Sequence, residues 1–242
     1  MPAYNEEERI QENLRETIRT FEDFGCDYEI IVIDDGSTDH TLAQALKVAQ
    51  QNPRVRVKRN MVNYGKGRAL KKAFRHTSGE YVVFLDADLD LHPGQVQTLF
   101  DIMRLDDVDV VIGSKMHPNS SVDYPQSRRF ISLIYYLFIK ILFGLPVRDT
   151  QTGLKLFKAK VLRDVFPKIL VKKFAFDLEL LANAHHMGYK IAEAPIVIEQ
   201  KRKYGRIGGE AMWQTGWDTL AVFYRMYVMK YYDHAKENPK EE

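Results

Sequence analysis

Asp86, Asp88 and Asp90 stand at alternate positions directly after the apolar run Tyr81-Val82-Val83-Phe84-Leu85. Such a run reads as a buried strand, and in an open α/β sheet ligands gather in the crevice beyond the carboxyl ends of the strands. Unpaired carboxylates this close repel one another, and a divalent cation held by oxygen relieves the repulsion. The pattern predicts a cation or phosphate site. The competing explanation is a solvated turn in which Asp88 or Asp90 caps a helix starting near His92 and Pro93.

Other chemistry-bearing groups recur at the ends of apolar runs. Residues 30–33 lead into Asp34-Asp35-Gly36-Ser37-Thr38-Asp39, where a carboxylate can hold a base or ribose and Ser37 or Asp39 can cap a helix. Asn63-Tyr64-Gly65-Lys66-Gly67 opens a further helix, and its glycines and Lys66 can approach a phosphate closely. Asp149-Thr150-Gln151-Thr152-Gly153-Leu154-Lys155 and Phe176-Asp177-Leu178-Glu179 are polar islands in apolar surroundings. They read either as acids and amides facing a pocket or as helix caps.

The elements that must position these groups follow from periodicity. Apolar runs at residues 29–33, 55–57, 81–85, 109–112 and 191–198 alternate with helical patterns at 6–24, 41–51, 67–76 and 95–104. Strand–helix repetition predicts an α/β fold with a largely parallel sheet covered on both faces. Residues 114–127, polar and carrying Pro118 and Pro125, suit an active-site loop. At 242 residues the chain can bury a full core. A net charge of +2 argues against nucleic acid as partner, although Arg128-Arg129 and residues 201–203 form basic clusters. The single cysteine, Cys26, excludes an internal disulfide and suggests a reducing compartment. No signal peptide is expected ahead of the first helix.

Two segments depart from the soluble pattern. Residues 130–145 are strongly apolar but interrupted by Lys140, and too short to span a bilayer. Arg129, Ser132, Tyr136 and Lys140 fall on one helical face, which suits a helix lying at an interface. Residues 213–232 behave similarly, with Gln214, Asp218 and Arg225 on one face and an aromatic set including Trp217, Phe223 and Tyr227 elsewhere. An ordinary buried helix or a dimer interface is the alternative for both. The charged segment from Asp233 onward is expected to be disordered.

Taken in order, Pro2-Ala3-Tyr4-Asn5-Glu6, Asp34-Asp35-Gly36-Ser37, Asn63-x-Gly-Lys-Gly, Asp86-Ala87-Asp88 and Asp149-x-Gln-x-Gly-x-Lys resemble the family 2 glycosyltransferases of the GT-A fold. Within them the chain is similar to the polyprenyl-phosphate branch, the dolichyl-phosphate mannose and glucose synthases, over residues 2–205. The forms DTQTGLKLF and FDLE lean toward the glucose synthases. The resemblance implies a GT-A Rossmann-like, mainly parallel sheet with helices on both faces plus amphipathic interfacial helices. It divides the chain into a catalytic domain over 1–205 containing an interfacial helix at 128–145, an amphipathic segment over 206–232, and a tail over 233–242. It implies an inverting, metal-dependent transfer of glucose or mannose from a nucleotide sugar, UDP-glucose or GDP-mannose, to a polyprenyl phosphate. The enzyme would sit peripherally on the cytoplasmic face of a membrane.

Residue by residue, Pro2, Tyr4 and Glu6 match positions lining the base and ribose, and Asp35 matches an acid that helps hold the nucleoside. Asp86 and Asp88, on either side of Ala87, match the DxD pair that holds Mg2+ or Mn2+ against the diphosphate, with Asp90 a further ligand where mannose synthases often carry Gln. Lys66 falls beside the diphosphate. Lys115, where the family usually has Arg, Arg128 and Ser132 match contacts to the acceptor phosphate, and Arg202 matches a loop that closes over the diphosphate. Asp177 and Glu179 are candidates for orienting sugar hydroxyls or the acceptor. Two departures stand out: the strand expected before Pro2 is missing, and the closing loop reads Arg202-Lys203-Tyr204-Gly205-Arg206-Ile207-Gly208 without its terminal Lys. A GT-A enzyme using a polysaccharide or soluble acceptor is the alternative. A receiver domain would leave the second half unexplained, and an EF-hand fails because Leu91 and Gln97 stand where Gly and Glu are needed.

Overall fold

Strand β2 (Ile30–Asp34) is buried at every position, as a strand covered on both faces must be. It pairs in parallel with β3 (Val55–Arg59) on one side and with the short β1 (Pro2–Ala3) on the other. A second sheet has the order β4-β6-β5-β7, formed by β4 (Tyr81–Phe84), β5 (Val110–Ser114), β6 (Lys155–Lys158) and β7 (Ile191–Pro195). Here β5 and β7 are parallel, whereas β6 runs antiparallel to both β4 and β5. This computed structural model describes residues 1–122, 126–171, 175–198 and 209–234, without the side chains of 126–129 and 209–212.

The expected parallel α/β core is present, with two differences. Strand β6 was not foreseen, and the position ahead of Tyr4 is held by Pro2–Ala3, which joins β2. The Met1 amine continues that ladder by donating to Ile31 O at 2.8 Å, and burial lowers its pKa to about 5. An apolar cleft of about 550 Å3 is lined, among others, by Ile30 and Ile31 of β2, Val82 and Phe84 of β4, and Phe74.

Helices α1 (Ile10–Asp23), α2 (Thr41–Gln51), α3 (Lys66–Phe74) and α4 (Val96–Leu105) cover the sheets at the positions their periodicity predicts. A 3-10 turn, Pro93–Gln95, precedes α4 and is capped by His92, whose Nδ1 accepts from Gly94 N at 3.0 Å; neither Asp88 nor Asp90 performs that task. The second half adds α5 (Gln126–Phe143), α6 (Ala159–Val165), α7 (Phe176–His186) and α8 (Gly209–Phe223), then a π-helical turn over Tyr224–Val228 and α9 (Tyr231–His234). Asp233 and His234, expected to be disordered, are helical, and Asp233 pairs with His186 at 2.7 Å; residues 235–242 lie outside the described set.

Helix α5 turns its apolar side outward. Phe130, Leu133, Ile134, Leu137 and Ile141 are exposed, while Ser132, Tyr135 and Tyr136 are half-buried and Ile139 is fully so. On the face read from sequence as polar, Ser132 and Tyr136 are half-buried and Lys140 is exposed, its amine donating to the Tyr136 hydroxyl at 3.0 Å. Helix α8 packs on α5 through Tyr135 and Thr219 (3.4 Å) and through the Phe143 and Phe223 rings. Trp213, Trp217, Leu220, Tyr224 and Tyr227, spaced three and four apart, remain exposed along one stripe. No helix among the described residues is long and apolar enough to cross a membrane.

Candidate active site

The acids at the end of β4 enter a tight turn. Leu89 N donates to Asp86 O at 3.3 Å, and Leu89 itself adopts φ 49°, a left-handed conformation that strains a side chain of its type. Ala87 is buried, and its carbonyl accepts from Asn13 of α1 at 2.8 Å, which fixes the turn to the helix layer. Asp86, Asp88 and Asp90 consequently line one wall of a pocket of about 220 Å3, with Lys115, Gln151, Thr152 and Gly153 opposite. A Cβ on Gly153 would overlap the Asp86 carboxylate, so glycine is what allows the two loops to approach.

The loop opposite is organised by Asp149. Its Oδ2 accepts from Lys115 N (3.1 Å) and Thr152 Oγ1 (2.6 Å), and its Oδ1 accepts from Gln151 N (3.0 Å). Lys115 Nζ stays 3.9 Å from the same carboxylate, close enough to feel it and free to face the pocket. Tyr135 of α5 meets Thr219 of α8 at 3.4 Å, which joins the two outward apolar helices to each other.

On the third side, Lys66 Nζ donates to Asp86 Oδ2 at 3.0 Å and lies 2.7 Å from Oδ1 in an ion pair. Burial pushes the Asp86 carboxyl up, but Lys66, Lys155 and the amino terminus outweigh it and hold it below the usual range. Asp88 goes the other way, to about 6, because it is burdened by burial and by the charges of Asp86, Asp90 and Glu6. Lys66 sits at the start of α3, where Gly65 takes φ 94° and its N–H donates to Asp35 Oδ2 at 2.8 Å.

Asp35 is almost wholly occupied: besides Gly65 it accepts from Asn60 Nδ2 (2.7 Å) and Tyr64 N (3.2 Å). It fastens the loop that carries Lys66. Gly36, at φ 74°, passes so close to Val62 and Asn63 that no side chain fits. Pro2 ends in β1 and Tyr4 is 44% exposed beside it. The chain then crosses over, with Asn5 N donating to Ser37 Oγ at 3.0 Å and Glu6 N to Thr41 Oγ1 at 2.7 Å. Asp39, read as a possible cap, accepts from Thr41 N at 3.0 Å.

Three sequence expectations change. Asp177 does not face the pocket freely: it is paired at 2.7 Å with Lys155, which is wholly buried and also donates to Thr152 O. Glu179 is wholly buried in α7 and accepts from Leu170 N (3.1 Å), Val171 N (2.7 Å) and the Tyr232 hydroxyl, with Arg225 at 3.6 Å. It locks the C-terminal segment onto α7 and has nothing left for a sugar hydroxyl. The third change concerns the metal: among the described residues no three acidic, His or Cys side chains converge closely enough to enclose an ion. Asp86 and Asp88 with Asp90 nearby nonetheless suit a hard divalent cation that takes its remaining ligands from a bound diphosphate or water, and Asp90 Oδ1 is buried without a hydrogen-bond partner.

Ser132 lies on the inward side of α5, one turn before Tyr135, in contact with its surroundings. Arg128 belongs to α5 with its side chain outside the described residues, and Arg202 lies outside them altogether. Lys155, Asp149 and Gly153 belong to the stretch read from sequence as facing a pocket or capping a helix; the structure shows Asp149 organising the loop and Lys155 buried against Asp177. Lys155 sits two residues after a glycine at the start of a strand, a position that points it inward under Asp86.

The model of Glycosyl transferase family 2 matches residues 1–166. A dolichyl-phosphate beta-glucosyltransferase of Trichomonas vaginalis is 30% identical over 243 residues, covering 96% of this chain and 75% of the relative. The Dictyostelium discoideum enzyme of the same description is 32% identical over 210 residues, covering 81% and 64%. Among solved structures, glucosyl-3-phosphoglycerate synthase from Mycobacterium tuberculosis with phosphoglyceric acid superposes with a TM-score of 0.67 at 23% identity, over 92% of this chain and 76% of the other. The same synthase bound to Mn2+, UDP and phosphoglyceric acid gives 0.67 at 21% identity, over 92% and 75%. With its GT-A fold, the chain belongs to glycosyl transferase family 2 and is a glycosyltransferase of the dolichyl-phosphate hexose synthase type.

Proposed function

We propose that this enzyme transfers a hexose, with inversion, from a nucleotide diphosphate sugar to a polyprenyl phosphate presented at a membrane surface. The observation that carries the reading is the pocket that Asp86 and Asp88 share with Lys115, with Lys66 paired to Asp86 alongside, in a chain whose α5 exposes an apolar face. Names of the relatives favour UDP-glucose as donor and dolichyl phosphate as acceptor.

Such a reaction brings two anions together, so the enzyme's task is charge management. Asp86 and Asp88 would hold Mg2+ or Mn2+, which supplies electrostatic neutralisation of the departing diphosphate. Lys66 lies within reach of the same diphosphate, and Asp35 keeps its loop in place. Lys115 offers a cation for the acceptor phosphate, joined in this reading by Arg128 and Ser132, while Arg202 covers the donor. Lysine at position 115 keeps the charge without the two-pronged geometry of arginine. The attacking phosphate oxygen is already ionised at neutral pH, so no strong base is required. That agrees with Asp177 and Glu179 being spent on structure. Tyr4 and Glu6 border the nucleoside end.

The test is a donor panel of UDP-glucose and GDP-mannose, radiolabelled in the sugar, with a short polyprenyl phosphate, with and without EDTA. Label is expected in the organic phase from one donor, abolished by EDTA and by Asp88→Ala. Label transferred only to water-soluble acceptors would reject the lipid reading.

A further inference from the structure

We propose that Lys66 is an internal counter-ion that covers Asp86 until a donor diphosphate draws it away, so that divalent metal and nucleotide enter the site together. The inference rests on the nucleotide-sugar reading above. Its basis is the way Asp86 is engaged: the Lys66 ammonium lies 2.7 Å from one carboxylate oxygen and 3.0 Å from the other. It straddles the edge that a metal would use. Asp86 Oδ2 occupies the space that a side chain at Gly153 would fill, so the two loops meet at this carboxylate. While Lys66 is in place, an arriving cation meets a ligand whose charge is already compensated, and Asp88 and Asp90 alone make a poor shell for a hard divalent ion.

The neighbouring lysines show why Lys66 is the one suited to move. Lys155 also acts on Asp86 but is wholly buried and pinned by Asp177 and Thr152 O. Lys115 belongs to the opposite wall and leans on Asp149. Lys66 has a side chain 31% exposed, and among the described residues its hydrogen bonds run to Asp86 alone. A compact ammonium on a flexible four-carbon stem can exchange one anion for another by small rotations. A diphosphate in this pocket supplies that second anion, and leaving Asp86 for it completes the metal's ligand set. Linkage then requires metal and diphosphate to strengthen each other's binding by the same factor.

The test is a titration of the metal-free full chain with Mn2+, reading free Mn2+ by electron paramagnetic resonance, with and without UDP and with GDP in parallel, corrected for Mn2+ held by free nucleotide. Wild type is expected to bind Mn2+ weakly alone and at least about tenfold more tightly with the accepted nucleotide, within the usual range of coupling between sites. Lys66→Met is expected to bind Mn2+ alone about tenfold more tightly than wild type and to lose most of the nucleotide effect. Lys115→Met removes an equal charge from the same pocket without uncovering Asp86, so it reports the general field effect, which should be smaller. Lys66→Arg, which keeps a cation over Asp86, should stay weak without nucleotide and secures the test should the Met variant fold poorly. Equal Mn2+ affinity in Lys66→Met and Lys115→Met, or tight Mn2+ binding by wild type alone, would overturn the exchange. Binding of neither nucleotide would fail the donor reading itself, whereas nucleotide binding without coupling to Mn2+ would overturn the exchange alone.

Discussion

Asp88 is the acid of the pocket whose charged form its surroundings most disfavour. Its pKa is lifted from 3.8 to about 6, by burial first and then by Asp86 and Asp90. Between those values the folded protein retains a proton that the unfolded chain has already released, so stability falls as pH rises through this interval and stays lower above it. Metal-free Asp88→Asn is therefore expected to melt higher than wild type at pH 8 and to converge with it near pH 4. Thermal unfolding in EDTA at the two pH values checks this, and a constant gap would show that Asp88 carries no such load. At this scale the sequence was informative where chemistry and backbone coincide. Acids at alternate positions after an apolar run do reach a pocket, as do Lys115 and the Gln151–Gly153 stretch. It was uninformative for Asp177 and Glu179, because an acid in an apolar run looks the same whether it faces substrate or satisfies buried partners. Only the positions of Lys155, Leu170 N and Val171 N, brought in by tertiary packing, distinguish the two.

Among the elements, α7 shows most clearly how a buried acid can organise the fold. Residues from Phe176 to Ala184 are all buried, and Glu179 gathers two backbone N–H groups, the Tyr232 hydroxyl and Arg225 around a single carboxylate. Its pKa is raised, by burial above all, yet the donors around it favour the charged form. Removing a buried charge's partners, or the charge itself, typically costs about 3–5 kcal/mol. Glu179→Ala should accordingly lose about 3 kcal/mol in urea unfolding, and Tyr232→Phe about 1 kcal/mol, the worth of one hydrogen bond. A Glu179→Ala loss no larger than that of Tyr232→Phe would mean that the backbone donors find other partners. Helices α1 to α4 and strands β2 to β5 were legible because period 3.6 or an unbroken apolar run marked each. Strand β6 was not, since Lys155 and Lys158 at its ends disguise a strand that is buried at Lys155, Leu156 and Phe157. For α5 the sequence left an interfacial helix and a buried one both open, since a helix that is apolar nearly all round does not reveal which side meets the protein.

For the molecule as a whole, the surface question is why it exposes two apolar stripes on helices that pack against each other. Exposed apolar residues scattered singly are ordinary, but Phe130, Leu133, Ile134, Leu137 and Ile141 on α5 together with Trp213, Trp217, Leu220 and Tyr224 on α8 form extended faces. Aromatic residues of this kind favour the headgroup level of a bilayer, where the phosphate of a lipid acceptor would also stay. The chain has two tryptophans, Trp213 and Trp217, 71% and 58% exposed and in edge contact with one another, so its intrinsic indole emission reports this surface alone. Adding vesicles of phosphatidylcholine and phosphatidylserine is expected to shift that emission to the blue and to carry the protein into the vesicle pellet. Trp217→Ala should weaken the partitioning by on the order of tenfold, as the loss of one large buried apolar side chain implies, while leaving turnover of a short, water-soluble polyprenyl phosphate nearly intact. Emission that stays unchanged at saturating lipid, in protein that remains folded and active on the short acceptor, would assign these faces to contact with protein and detach the membrane from the mechanism.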